Sequence, residues 1–119
     1  MTKLPHQHDH KSQIVYEHIP EASVFQSAAQ LFHQLGDGTR IRIFWILCHC
    51  EECVMNLSAM MEMSSPAVSH HLRQLKAAEL IVSRREGKEV YYKAAETFAA
   101  NMLHKMIEDM LTISCPDGE

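Results

Sequence analysis

From Glu21 to Leu35 the apolar residues Val24, Ala28, Leu31 and Leu35 recur at helical spacing, with Phe25 and Phe32 widening the stripe and Gln26, Gln30 and His33 opposite it. The spacing predicts an amphipathic helix. Gly36-Asp37-Gly38 ends it, and Asp37 is placed to accept hydrogen bonds from the first free amides of a second helix running to about His49. In that helix Ile41, Ile43, Phe44, Trp45, Ile46, Leu47 and Cys48 cover nearly the whole circumference, leaving mainly Arg42 and His49 polar. Such a helix belongs at the buried centre of a domain.

Asn56 is expected to cap a short helix through Met63, after which Ser64-Ser65-Pro66 repeats a start signal, a serine N-cap with proline at the first helical position. In the helix that follows, Val68, Leu72 and Leu75 share one face, while His70, Arg73 and Gln74 point the other way with Ser69 at the edge. Leu80 to Arg85 and Glu89 to Lys93 are rich in β-branched and aromatic residues and flank Glu86-Gly87-Lys88, which predicts a β-hairpin. Glu96 to Ile113 forms a last helix whose apolar arc is too wide to bury against one neighbour. A second subunit is expected to cover the rest, through Phe98, Met102, Leu103, Met106, Ile107 and Met110.

Residues 1–20 hold His6, His8, His10 and His18 without a sustained period and are expected to form a flexible, extended arm. The remainder divides into one domain over 21–113 and a tail over 114–119, in keeping with a 119-residue chain that fits a single core. The fold class expected is mostly α with a small β-hairpin, a winged helix-turn-helix, dimeric. No apolar run approaches the roughly 20 residues that span a bilayer, and no basic segment followed by an apolar signal core opens the chain, so the expected location is cytoplasmic, without a membrane partner.

Charge refines this picture. The formal net charge of -4 speaks mildly against a nucleic-acid partner, but six of the eleven Lys and Arg residues fall between Arg73 and Lys93. Helix, turn, second helix and basic hairpin in this order suit a reader of double-stranded DNA, because a helix fits the major groove and a hairpin can follow the adjacent backbone. Ser69, His70, Arg73 and Gln74 are then candidates for base edges, and Ser65, Lys76, Arg84, Arg85 and Lys88 for phosphate oxygens. His71, on the Leu75 side, is expected to pack inward.

Four stretches carry a resemblance: Asp37-Gly38-Thr39-Arg40-Ile41-Arg42-Ile43, Glu52-Cys53-Val54-Met55-Asn56-Leu57, Ser65 to Leu75 with its Ser69-His70-His71-Leu72, and Arg84-Arg85-Glu86-Gly87-Lys88-Glu89-Val90-Tyr91-Tyr92. Together they resemble the ArsR/SmtB family. The resemblance implies a homodimeric winged-helix repressor, paired through its first and last helices, that leaves its operator DNA when an inducer binds.

The inducer is where the chain departs from the family. A Cys-Val-Cys-Asp stretch often supplies thiolates there, whereas this chain has Cys53-Val54-Met55-Asn56, so the resemblance carries a metal ligand only to Cys53. His49 and Cys50 are close enough in sequence to complete a site, since thiolates and imidazoles suit zinc, cadmium or lead. His6, His8 and His10 resemble the arm ligands that some relatives add across the dimer. A second family site begins with Asp-x-His, where Glu96 and Phe98 stand here, so that zinc site is expected to be absent; His104 and Glu108 share a helical face at i and i+4. Cys115 is a candidate third thiolate or a disulfide partner for Cys50 or Cys53, while Cys48 is expected to be buried.

The leading expectation is a repressor released by a metal ion. A second keeps the repressor and makes the signal a thiol oxidant or a persulfide. A third class, for which the acidic net charge speaks, is a metal-buffering or partner-binding protein without DNA binding. No glycine-rich phosphate loop, paired carboxylates or nucleophile with a base points to an enzyme.

Overall fold

The computed structural model describes residues 2–113 and 116, which hold, in order, α1 (His10–Glu17), α2 (Ala22–Gln34), α3 (Gly38–His49), β1 (Glu52–Cys53), α4 (Val54–Met61), α5 (Ser65–Ala77), β2 (Ile81–Glu86), β3 (Glu89–Ala94) and α6 (Phe98–Leu111). The chain divides into two compact units, Met1–Gln30 and Leu31–Glu119. In the first, α1 stands where an extended arm was expected. Its start signal is Asp9, whose carboxylate accepts from the Ser12 amide at 3.2 Å, and Gln13 donates to Glu17 at 2.9 Å one turn on. No residue of α1 is buried, and Ile14, Val15 and Ile19 stay exposed.

The second unit is built around α3. Asp37 caps it as expected, accepting from the Arg40 amide at 3.1 Å, and Ile43, Phe44 and Leu47 are fully buried. Arg40 is also buried, its Nη1 donating to the backbone oxygen and the Oε1 of Gln34 at 3.4 and 3.3 Å. Leu57 and Met61 of α4, Val68, Leu72 and Leu75 of α5, Leu80 and Ile81, and Ala100, Leu103 and Ile107 of α6 complete one core with them. Removing each such Leu, Ile or Phe side chain from water contributes about 1.5–3 kcal/mol.

Several local features differ from expectation. Asn56 does not cap α4: Cys53 occupies the cap position without a side-chain bond, and Asn56 donates instead to Glu52 at 2.7 Å. The helix ends at Met61, because Glu62 takes a left-handed φ of 54° that turns the chain toward α5. A third strand, β1, pairs antiparallel with β3, Cys53 opposite Tyr91, so the sheet order is β1-β3-β2. Two residues are too few to show the alternation that marks a strand. α5 starts one residue earlier than expected, capped by Ser64 so that Pro66 takes the second helical position and not the first, and the hairpin turns at Gly87 with φ +62°. α4, the turn and α5 form a helix-turn-helix, and β2 and β3 its wing. Among the described residues no helix is long and apolar enough to cross a membrane.

Candidate nucleic-acid interface and metal site

The core positions of α5 leave His70 and Arg73 fully outward. Ser69 and Gln74 are half-buried, and the Gln74 Oε1 is buried without a hydrogen-bond partner. His71 packs toward the body, as its side of the helix predicted. Burial pushes its imidazole pKa down, the nearby Asp37 charge opposes this in part, and Arg40 and His70 add to the depression. Ser65 pairs with Ser58 at 3.1 Å across the α4–α5 turn. Lys76 donates to Ser83 at 2.7 Å, tying the end of the helix to the wing.

The wing cations are not equivalent. Arg85 donates to the Gly87 carbonyl at 3.3 Å, and it and Lys88 are exposed. Arg84, expected as a phosphate ligand, is exposed but already paired with carboxylates of its own chain. Its Nε and Nη2 donate to the two carboxylate oxygens of Glu51 at 2.8 Å each, its Nη1 to Glu86 at 2.6 Å, and its guanidinium lies 4.8 Å over the Tyr91 ring. Hydrogen bonds to Glu51 and Glu86 raise the Arg84 pKa, and the bond from Arg84 lowers that of Glu51. This cation serves to brace the wing against the segment after α3.

At the other end of α3, His49 meets two residues of α6. Nε2 of His49 lies 3.0 Å from Glu108 Oε2, Nε2 of His104 lies 2.9 Å from the same oxygen, and the two Nε2 atoms are 3.0 Å apart. The Trp45 indole N–H donates to that oxygen at 2.9 Å. Burial pushes the Glu108 carboxyl up, but the bonds from His104, Trp45 and His49 outweigh it and hold the pKa down at about 2. Helical spacing brings this about: Trp45 and His49 are i and i+4 on α3, His104 and Glu108 i and i+4 on α6, and the Phe44 and Leu103 faces lock the two helices together.

This trio is the one set of three potential ligand atoms within 4.8 Å of one another among the described residues. Of the expected ligands it contains His49 alone. Cys53 is buried in β1, Cys50 is exposed with its thiol 3.5 Å from the Ile46 carbonyl, and neither joins the trio. Cys48, expected to be buried, is only partly so. His6 and His8 stack at 5.9 Å and His10 opens α1, without forming such a set. Cys115 lies outside the described residues. Among the described residues the Cys50 and Cys53 thiols thus lie outside the His49, His104 and Glu108 set.

The dimer expectation divides by face. Leu103 and Ile107 are not available to a partner, because the chain's own core takes them; Leu103 is 1% exposed. Phe98 at 83% and Met110 at 73% remain open, with Met102 and Leu111 about half so, while Met106 is partly covered. On α2, Val24, Phe25 and Phe32 are exposed as well.

The sequence profile described as "Bacterial regulatory protein, arsR family" matches residues 37–83, from the α3 cap through α5 into the wing. Over these residues the chain is similar to that family. It is 36% identical over 85 residues to the transcriptional repressor SmtB homolog of Synechocystis sp., a match covering 71% of this chain and 64% of that protein. It is also 36% identical over 78 residues to the cadmium resistance transcriptional regulatory protein CadC homolog of Staphylococcus aureus, covering 65% and 64%. The chain thus spans just under two thirds of the length of these curated relatives. Among solved structures it is similar to HlyU from Vibrio cholerae N16961, with TM-score 0.69 and 25% identity over 77% of this chain and 99% of that one. His104 and Glu108 lie beyond the residues that define the family match.

Proposed function

We propose that the chain is a homodimeric repressor that binds double-stranded DNA through α5 and the β2–β3 wing and responds to a metal ion. The observation that carries this reading is the outward face of α5, where His70 and Arg73 are exposed, as are Arg85 and Lys88 of the wing. A helix of this size enters the major groove and offers its outward side chains to base edges, while wing cations meet phosphates. The apolar residues that α6 leaves open supply a two-fold contact, which would set the two reading helices one helical turn of DNA apart, roughly 34–36 Å. The metal is supported by the cadmium-resistance name of one relative and by the trio on α3 and α6.

Selection of binding sites from a random DNA pool, followed by titration at several salt concentrations, tests the reading. A palindromic site is expected. Arg73→Ala should weaken that site by about 1–3 kcal/mol while changing random DNA much less. Arg85→Ala should weaken both alike and reduce the salt slope by about one. Failure to enrich any site, or identical losses for both variants on both DNAs, would refute the assignment.

A further inference from the structure

We infer that His49, His104 and Glu108 form a binding site for one divalent cation of borderline softness, such as zinc, that ties α3 to α6. Binding itself stands on the geometry below; its effect on DNA rests on the repressor reading above.

The three donor atoms converge from two helices, with separations of 3.0, 2.9 and 3.0 Å. Ligands about 2.0–2.1 Å from a tetrahedral zinc lie roughly 3.3 Å apart, so the trio needs to open by only a few tenths of an ångström. Protons alone satisfy it poorly. Each Nε2 carries either one hydrogen or one in-plane lone pair, so at most two of the triangle's three sides can hold a hydrogen bond at once. If both rings donate to Glu108, the two nitrogens face each other at 3.0 Å with no lone pair to receive a proton. A cation at the centre engages one lone pair from each of the three atoms and removes that conflict.

The surroundings suit a metal as well. Trp45 donates to the ligating oxygen of Glu108 and its ring packs 4.7 Å from that of His49, fixing both. The His49 and Glu108 side chains are 7% and 16% exposed, and that of His104 is 25% exposed. His104 also lines a cleft of about 290 Å³ with Cys48, Cys50, Glu51 and Asn101, which gives a way in and room for a fourth ligand. Two imidazoles and a carboxylate favour zinc, cobalt or nickel over lead and cadmium, which prefer thiolates.

Occupancy would bear on both ends of the molecule. α3 shares the core with α5 through Phe44, Val68 and Leu72, and α6 carries the open apolar face. A cation that prefers one spacing of α3 and α6 therefore biases how the reading helix sits relative to a partner subunit, and only such differential affinity can move DNA binding.

The test is titration of chelator-treated full-length protein with Co²⁺, followed by displacement with Zn²⁺. Absorption reports the ligands, and emission from Trp45, the single tryptophan, reports the site. Wild type should take up one Co²⁺ per chain with a visible tetrahedral band and a matching change in Trp45 emission. His104→Ala and Glu108→Gln should each weaken binding at least about tenfold, while Cys53→Ser leaves it unchanged. Far-ultraviolet circular dichroism of each variant checks that it folds; the part-exposed position of His104 makes its loss tolerable. Loss of binding in Cys53→Ser with none in His104→Ala and Glu108→Gln would overturn this site while leaving a metal-responsive repressor standing. No Co²⁺ uptake by wild type at tens of micromolar would overturn the site and the metal response together, leaving DNA binding to be judged by the selection experiment.

Discussion

Phe98 and Leu103 lie five residues apart on α6, one 83% and the other 1% exposed, so substituting each separates the stability of the subunit from the stability of the dimer. Phe98→Ser removes apolar surface that a partner subunit is proposed to cover. Burying a phenylalanine is worth about 1.5–3 kcal/mol, and a two-fold interface contains two copies. The dimer should therefore lose about 3–6 kcal/mol if both rings are fully covered, which raises its dissociation constant by roughly two to four powers of ten. The monomer core is untouched, because the ring makes no part of it. Leu103→Ala instead opens a cavity among Phe44, Leu47 and Ala100 and should cost about 2–5 kcal/mol of unfolding free energy. Sedimentation velocity across a dilution series reads the first effect, and urea unfolding at concentrations where each variant is monomeric reads the second. If Phe98→Ser dissociates no more readily than wild type, α6 does not pair subunits through its open face. If Leu103→Ala leaves the urea midpoint unchanged, the assignment of that residue to the core is wrong.

Two further outcomes follow from individual contacts. Because Arg84 is held by Glu51, Glu86 and the Tyr91 ring, Arg84→Ala should change the salt slope of DNA binding less than Arg85→Ala does, and it should lower the melting temperature where Arg85→Ala does not; equal salt slopes would show that Arg84 leaves its carboxylates for phosphate. The pKa of His71 is depressed below its ordinary value of 6.5, so the unfolded chain binds the proton more readily than the folded one, and stability should be full above that value and fall as pH drops through it toward the folded pKa; His71→Asn should flatten that part of the stability-versus-pH curve, measured by thermal unfolding between pH 5 and 8 as order-of-magnitude bounds.

Local pattern was enough for the helix-turn-helix and the wing. Asp37, Ser64 with Pro66, and Gly87 are short-range signals, each acting within a few residues of the backbone group it satisfies, so they can be read one after another along the chain. The same holds for the nearly all-apolar α3, whose composition alone demands burial. Asp9 is a signal of the same kind before α1, but the residues that follow it show no apolar stripe.

What local pattern could not supply is which of several qualified residues meet. An apolar arc on α6 shows that two surfaces must cover it, but only packing against α3 decides that Leu103 and Ile107 go inward and Phe98 and Met110 stay out. Arg84 reads like its neighbour Arg85 until β1 joins the sheet and brings Glu51 alongside it. His49, His104 and Glu108 were each visible as polar residues on otherwise apolar helices. Their convergence depends on the rotation and height at which α3 and α6 pack across an interval of 59 residues between His49 and Glu108, and that is set by how Phe44, Leu47, Leu103 and Ile107 share one core. Residue spacing fixes neighbours along a helix; only close packing of the side chains between two helices fixes neighbours across them.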